Sequence, residues 1–209
     1  MHKKTEVTAA IEHLRRHDAR LAVLIDQYPA PTFTPHTNYY QELVESIISQ
    51  QLSVKAAATI GKRFVDTFGH FPEPHEILAR DEADLRAAGL SGQKTRYIRD
   101  LAAKVIAGEV QFDHLDGLSN DQIVQELTAV KGIGEWTVHM FLMFCMGRLD
   151  VLPTGDLGVR NAVARHYGFD VCTPDVVKTV AKTNDWAPYE SVASWYMWQS
   201  LDNAPKDTA

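Results

Sequence analysis

Two short segments hold the residue types from which chemistry could be built. The first is Lys131-Gly132-Ile133-Gly134-Glu135-Trp136-Thr137; the second, about twenty residues later, is Leu152-Pro153-Thr154-Gly155-Asp156. Neither glycine of the Gly-x-Gly turn has a Cβ, so the backbone can take positive φ and come close to another molecule. The N–H groups of such a turn, at the positive end of a helix dipole, suit a phosphate. The plainer alternative is a tight turn between core helices. Asp156 is an isolated carboxylate just before the apolar Leu157-Gly158-Val159. An aspartate there can cap a helix, or it can stabilise a developing cation and orient a water. Residue type alone leaves both roles open.

The elements around these segments have a helical period. Apolar residues recur at spacings of three and four, and no strand-like alternation persists. Ser119 and Gln122 have capping-box spacing ahead of Ile123, Val124 and Leu127, which share one face and lead into the turn. The downstream helix is expected to run from Trp136 to Met146. Other helices are expected to begin near Val7, Ala19, Tyr39, Val54, Pro74, Lys94, Asp156, Pro174 and Trp186. Thr173-Pro174-Asp175 supplies a cap, a proline at the first helical position and an acid in the first turn. Gly69 and Gly168 follow apolar runs and mark helix ends. Tyr28 to Pro35 is a proline-rich linker between an N-terminal helical segment and the body. The fold class is all-α.

Bulk properties limit the function. The chain has 209 residues, enough for a good core in one domain or two packed lobes. It has no apolar run of membrane-spanning length and no signal-peptide pattern, so a cytoplasmic location is expected, nucleoid-associated in a bacterium. Cys145 and Cys172 are isolated, which fits buried thiols and cannot supply a four-cysteine iron–sulfur cluster. The formal net charge is −6, unevenly spread: five basic and six acidic groups in 1–54, nine and seven in 55–108, seven and fourteen in 109–209. Lys94, Arg96, Arg99 and Lys104 concentrate positive charge in the middle, where it could meet phosphate or simply form a solvated helix face.

The helix, Gly-x-Gly hairpin, helix and following aspartate together resemble the helix-hairpin-helix DNA glycosylase superfamily. Within it, Lys131 to Thr137 is similar to the hairpin of the 3-methyladenine DNA glycosylase II family. Ser49-Gln50-Gln51-Leu52-Ser53, Gly89-Leu90-Ser91 with Lys94, and Trp186-Ala187-Pro188-Tyr189 match further blocks in order, covering about residues 38 to 201. The resemblance implies one glycosylase module of two helical lobes flanking a DNA-binding cleft. Lobe A would span about 38–107, and lobe B would join 1–37 to 109–204 and contain the hairpin, 130–137. It also implies that the chain lacks the extra N-terminal β-rich domain of larger relatives.

Residue roles follow from the same resemblance. Asp156 falls at the catalytic aspartate. Trp136 and Tyr189 line the base pocket, Tyr189 replacing a tryptophan of some relatives, with Trp186 a third candidate. Lys131, Gly132, Ile133, Gly134 and Thr137 form the hairpin on the DNA backbone. Gln51, with Leu52 second, would fill the gap left by a flipped base; Ser53, Gly89, Ser91 and Lys94 would make further DNA contacts. Trp195 and Trp198, spaced with Val192 and Leu201, together with Phe141 and Phe144, have the pattern of core packing.

The chemistry expected is hydrolytic release of an alkylated base from double-stranded DNA. Glycoside hydrolysis usually needs a second carboxylic acid to protonate the leaving group, and Glu135 at a helix start is better explained by the dipole. A purine alkylated at N3 or N7 already bears positive charge and leaves as a neutral base, so one carboxylate and electron-rich aromatic faces suffice. No cofactor is required, though the resemblance allows a structural monovalent cation on hairpin carbonyls, and a monomer is expected. Two other readings stay open: a bifunctional glycosylase/β-lyase, disfavoured by Trp136 where such enzymes place a lysine, and a non-catalytic helix-hairpin-helix DNA-binding module. His13 and His17 have i,i+4 spacing but no third metal ligand is evident, so no metal site is expected.

Overall fold

The computed structural model describes residues 2–202, and all regular secondary structure among them is helical. In chain order the elements are α1 (His2–His17), α2 (Ala19–Gln27), α3 (Tyr39–Ser49), α4 (Val54–Asp66), α5 (Pro74–Ala79), α6 (Glu82–Ala87) and α7 (Gly92–Ile106). A 3₁₀ turn at Phe112–Gly117 leads to α8 (Asn120–Leu127) and α9 (Glu135–Met140). A π-helical turn, Phe141–Cys145, precedes α10 (Leu157–Tyr167), α11 (Pro174–Thr183) and α12 (Glu190–Asp202). None of these helices is long and apolar enough to cross a membrane.

Most boundaries have a side-chain cause. Asn38, Ser53, Ser91 and Thr173 each accept a backbone N–H of the turn they start, and Ser119 with Gln122 closes a reciprocal capping box. Gly168 ends α10 in the left-handed conformation at φ 77°, and Gly69 follows α4 at φ 81°. Two expectations shift. The helix after the hairpin closes at Met140 and widens into the π-helical turn instead of running on to Met146. The last helix starts at Glu190, not near Trp186, because Pro188 biases Ala187 away from helical geometry.

The chain divides into two compact units. One joins Met1–Pro35 to Leu142–Ala209, of which residues 2–35 and 142–202 are described; the other is His36–Phe141. The N-terminal segment therefore joins the C-terminal part, as the resemblance implied, but residues 109–141 go with 36–108. The hairpin thus belongs to the middle unit, and its hydrogen bonds explain why. Asp100 on α7 accepts the Lys131 N–H at 2.9 Å, and the Gln50 side chain donates to the Gly132 carbonyl at 2.9 Å.

Each unit has its own core. In the middle unit Leu43, Ile47, Phe64, Ile77, Leu85, Ile98, Leu101 and Leu127 are fully buried. In the other unit Asp18 is the polar centre of a core containing Leu14, Leu21, Val163 and Tyr196. It caps α2 by accepting the Arg20 and Leu21 N–H groups at 3.0 Å. It also accepts the Trp186 indole N–H at 2.8 Å and the Tyr167 hydroxyl. Four donors on one buried carboxylate satisfy what would otherwise be a costly charge. Burial and Asp18 together push the Tyr167 hydroxyl far above the ordinary phenol range.

Candidate nucleic-acid interface and base-excision site

The two glycines of the hairpin differ in kind. Gly132 has φ +85°, and a Cβ built there would lie 2.0 Å from Tyr97 Cδ2, so this glycine is required by the protein's own packing. Gly134 has φ −97° and ψ 170°, and a Cβ there meets nothing within 4 Å. The positive φ that the sequence allows at both glycines is thus taken by Gly132 and not by Gly134, and any need for glycine at 134 comes from outside the chain. No side chain caps the start of α9 at Gly134. Ile133 and Thr137 are buried beneath the hairpin, while Lys131, Gly134 and Trp136 are exposed. The Lys131 ammonium lies 3.3 Å from Asp100, and its backbone N–H is already donated to the same carboxylate.

The turn between α3 and α4 is held from below. Gln51 occupies the left-handed region at φ 56°, a conformation that costs energy for a residue with a Cβ. Its side chain is exposed, and Leu52 beside it is 38% exposed although apolar. The Lys94 ammonium donates to the carbonyls of Ile48 and Gln50, both at 2.7 Å. Lys94, which the resemblance makes a DNA contact, thus ties down the C-terminal end of α3; burial pushes its ammonium below the ordinary lysine range. The basic cluster on α7 is largely spent in this way. Arg99 donates to the carbonyls of Ile77, Leu78 and Arg80 behind α5, and Lys104 pairs with Glu109 at 2.5 Å. Ser53 and Ser91 serve as helix caps, and Gly89 at φ +104° turns the chain with Ile60 3.2 Å from a would-be Cβ.

Asp156 takes the capping role its sequence position allowed, and gains a second donor besides. It caps α10, its Oδ1 accepting the Val159 N–H at 2.8 Å, and the same oxygen accepts the Trp198 indole N–H at 2.7 Å. The residue is only 9% exposed. A carboxylate so enclosed is held in one orientation by fixed donors, the preorganisation needed to meet developing positive charge. Trp198 is therefore not merely a core residue, and Phe144, 39% exposed, is not fully packed either. The Phe144 ring lies 5.9 Å from Trp198 and 5.9 Å from Phe33, so an aromatic row stands beside the carboxylate. Sequence periodicity missed both, since a tryptophan three residues from one end of an apolar stripe looks like core; only the glycine at 158 hinted at a close neighbour.

Among the aromatic candidates, Trp136 is 52% exposed and Tyr189 partly so. Trp186 is fully buried with its indole N–H on Asp18, so it cannot offer a face to a base; it anchors the loop that carries Tyr189. The metal expectation also needs revising in one respect. Asp185 supplies the third group that sequence did not reveal, bringing ligand atoms of His13, His17 and Asp185 within 4.8 Å of one another. Yet His13 Nε2 is engaged with the Asp185 carbonyl at 2.6 Å and His17 Nδ1 with the His13 carbonyl at 2.8 Å. The His13 bond fastens α1 to the loop before Tyr189, whose ring meets His13 edge-on at 5.2 Å, while the His17 bond lies within α1.

Comparison with known proteins follows the same lines. Over 202 residues the chain is 34% identical to DNA-3-methyladenine glycosylase 1 of Schizosaccharomyces pombe, covering 94% of this chain and 88% of the relative. A crystal structure of DNA-3-methyladenine glycosidase from Bacillus halodurans superposes with a TM-score of 0.84 at 35% identity, over 93% of this chain and 89% of that one. The Schizosaccharomyces pombe 3-methyladenine DNA glycosylase in complex with abasic DNA superposes with a TM-score of 0.77 at 33% identity, over 94% and 98%. Residues 44–185 match the HhH-GPD superfamily of base excision DNA repair proteins, and the chain belongs to that family.

Proposed function

We propose that this protein is a monofunctional DNA glycosylase that flips alkylated bases, N3- and N7-alkylated purines foremost, out of double-stranded DNA and hydrolyses the glycosidic bond to leave an abasic site. The observation that carries the proposal is Asp156, a nearly buried carboxylate whose Oδ1 receives two fixed N–H donors beside a row of aromatic rings. As the C–N bond lengthens, positive charge grows on the sugar, and a preorganised carboxylate is worth most at that point. The alkylated base is already cationic and takes the bonding pair, so it leaves as a neutral base and no general acid is needed. Water supplies the hydroxyl, and its proton passes to the carboxylate or to solvent.

Recognition divides among other residues. The hairpin around Gly134 admits a phosphate close to its backbone. Gln51, projecting from a left-handed turn, enters the stack when the base leaves, with Leu52 alongside. Trp136 and Tyr189 give the cationic base electron-rich faces. The reaction uses residues of one chain and no cofactor.

The test is a base-release assay on duplexes bearing single N3-, N7- or N1-alkylated lesions, with mass detection of the free base. Free 3-methyladenine and 7-methylguanine should appear while the strand stays intact, and borohydride should trap no protein–DNA adduct. A trapped adduct that vanishes in Lys131→Ala would replace this reading with the bifunctional one. Tight DNA binding with no released base would leave a non-catalytic binding module.

A further inference from the structure

Gly158 is an unusual choice for the first turn of α10. Its φ does not lie in the left-handed region, so no backbone requirement explains it, and glycine inside a helix is otherwise unfavourable. Space explains it. A Cβ at 158 would stand 2.8 Å from Trp198 Cδ1, 3.1 Å from Trp198 Nε1 and 3.1 Å from Asp156 Oδ1. The indole of α12 therefore lies directly against the start of α10, at a distance that only a glycine permits, and its N–H reaches the carboxylate that caps that helix.

From this geometry we infer that Trp198 is a positioning residue for Asp156 and that Gly158 is the gap that admits it. The inference rests on Asp156 being the catalytic carboxylate. A capping aspartate bonded only to backbone can rotate about its side-chain torsions; a second donor on the same oxygen, from a different helix, fixes the carboxylate plane. With Val159 N–H and Trp198 Nε1–H both on Oδ1, the direction of Oδ2 is set as well. The Trp198 ring is in turn seated against Phe144 at 5.9 Å with an interplanar angle of 33°. The tryptophan's contribution is thus an N–H at a defined point, and an aromatic ring without the N–H does not replace it.

The experiment is single-turnover base release by Trp198→Phe and Gly158→Ala, each in the wild-type and in the Asp156→Asn background. Losing the outer hydrogen-bond partner that orients a metal ligand typically costs about 10- to 100-fold; on the same scale Trp198→Phe should fall by about that factor while its affinity for an abasic-analogue duplex is unchanged. Gly158→Ala, which displaces the indole, should show the same loss, and the double variant should be little worse than either single one. In Asp156→Asn the residual rate should be insensitive to Trp198→Phe, because the bond being removed no longer meets a carboxylate; a role confined to packing would instead lower both backgrounds by the same factor. If Gly158→Ala fails to fold by circular dichroism, Trp198→Phe decides alone. Wild-type rates in a folded Trp198→Phe protein, or equal losses in both backgrounds, overturn the inference while leaving Asp156 catalytic. An Asp156→Asn enzyme of full activity would overturn the catalytic reading itself and this inference with it.

Discussion

Gly132 and Gly134 stand two residues apart in one turn, yet alanine should act on them in opposite ways. At Gly132 the new Cβ falls inside the Tyr97 ring, 2.0 to 2.4 Å from three of its atoms, and φ is +85°. The left-handed backbone costs a non-glycine residue about 1–2 kcal/mol, and forcing a methyl into packed space costs about 1–3 kcal/mol. Tyr97 can yield only by leaving its place beside the hairpin. The expected destabilisation is therefore about 2–5 kcal/mol, and each kcal/mol lowers Tm by about 2–4 °C in a chain of this size. At Gly134 the Cβ enters open space at an ordinary φ, so the fold should hold or gain about 0.4–1 kcal/mol through reduced freedom of the unfolded chain. Only a DNA phosphate approaching the backbone would meet that methyl. Scanning calorimetry and a salt titration of binding to an abasic-analogue duplex separate the two effects. Gly132→Ala should melt well below wild type; Gly134→Ala should melt with it but bind more weakly, and Gly134→Asp more weakly still because it adds like charge. A Gly132→Ala protein of wild-type Tm would refute the packing argument, and a folded Gly134→Asp protein binding like wild type at every salt concentration would remove the hairpin as a DNA anchor.

Other expectations follow from single side chains. Lys94→Met removes two charge-assisted bonds to carbonyls of α3; such bonds are worth about 1.5–3 kcal/mol each when sheltered, but partial exposure lets water replace them, so a net loss of about 1–2 kcal/mol is expected by denaturant melts. The same variant should give a smaller fluorescence rise from 2-aminopurine placed beside an abasic analogue, because the Gln51 turn loses its support; an unchanged signal would separate Lys94 from that turn. Glu190 begins α12 with Oε2 buried and lacking a hydrogen-bond partner, and burial, reinforced by Asp150, raises its carboxyl above the usual range. A carboxyl raised in the folded state contributes stability that is full below the unfolded carboxylate range and is lost as pH rises through the folded value. Glu190→Gln should therefore raise Tm by a few degrees at pH 8, and the gain should disappear near pH 4; a gain independent of pH would contradict the burial argument.

Much of the fold was legible because local chemistry specified it. Ser119 with Gln122, Thr173 with Pro174, and Gly168 each fixed a helix end through a bond or a dihedral within four residues, so spacing alone located them. The short α6 left no such trace, since six residues give too little period to detect. The unit boundary at Phe141 depends on Asp100 and Gln50 meeting the hairpin from 31 and 82 residues away, and no local pattern encodes that. The candidate site divided in the same way. Asp156 was evident as a cap, while its place after the hairpin pointed to chemistry only through the family resemblance. Trp186 and Trp198 were not sorted correctly, because both are tryptophans in apolar company and what separates them is the carboxylate each indole N–H finds: Asp18 in a closed core, Asp156 at a helix start. Lys94 resembled a phosphate contact by its charge, and only the carbonyls of Ile48 and Gln50 reveal its use.

The central claim is that the Asp156 carboxylate stabilises the sugar cation during base release. Single-turnover excision of 7-methylguanine by Asp156→Asn, measured beside binding to an abasic-analogue duplex, tests it most directly. Asparagine keeps an oxygen that can accept from Val159 and Trp198, so the helix cap and DNA affinity should survive. Loss of the charge should remove at least ~3–4 kcal/mol of transition-state stabilisation, a rate lower by 10²–10³ or more. An Asp156→Asn protein that releases base at the wild-type rate would contradict the account.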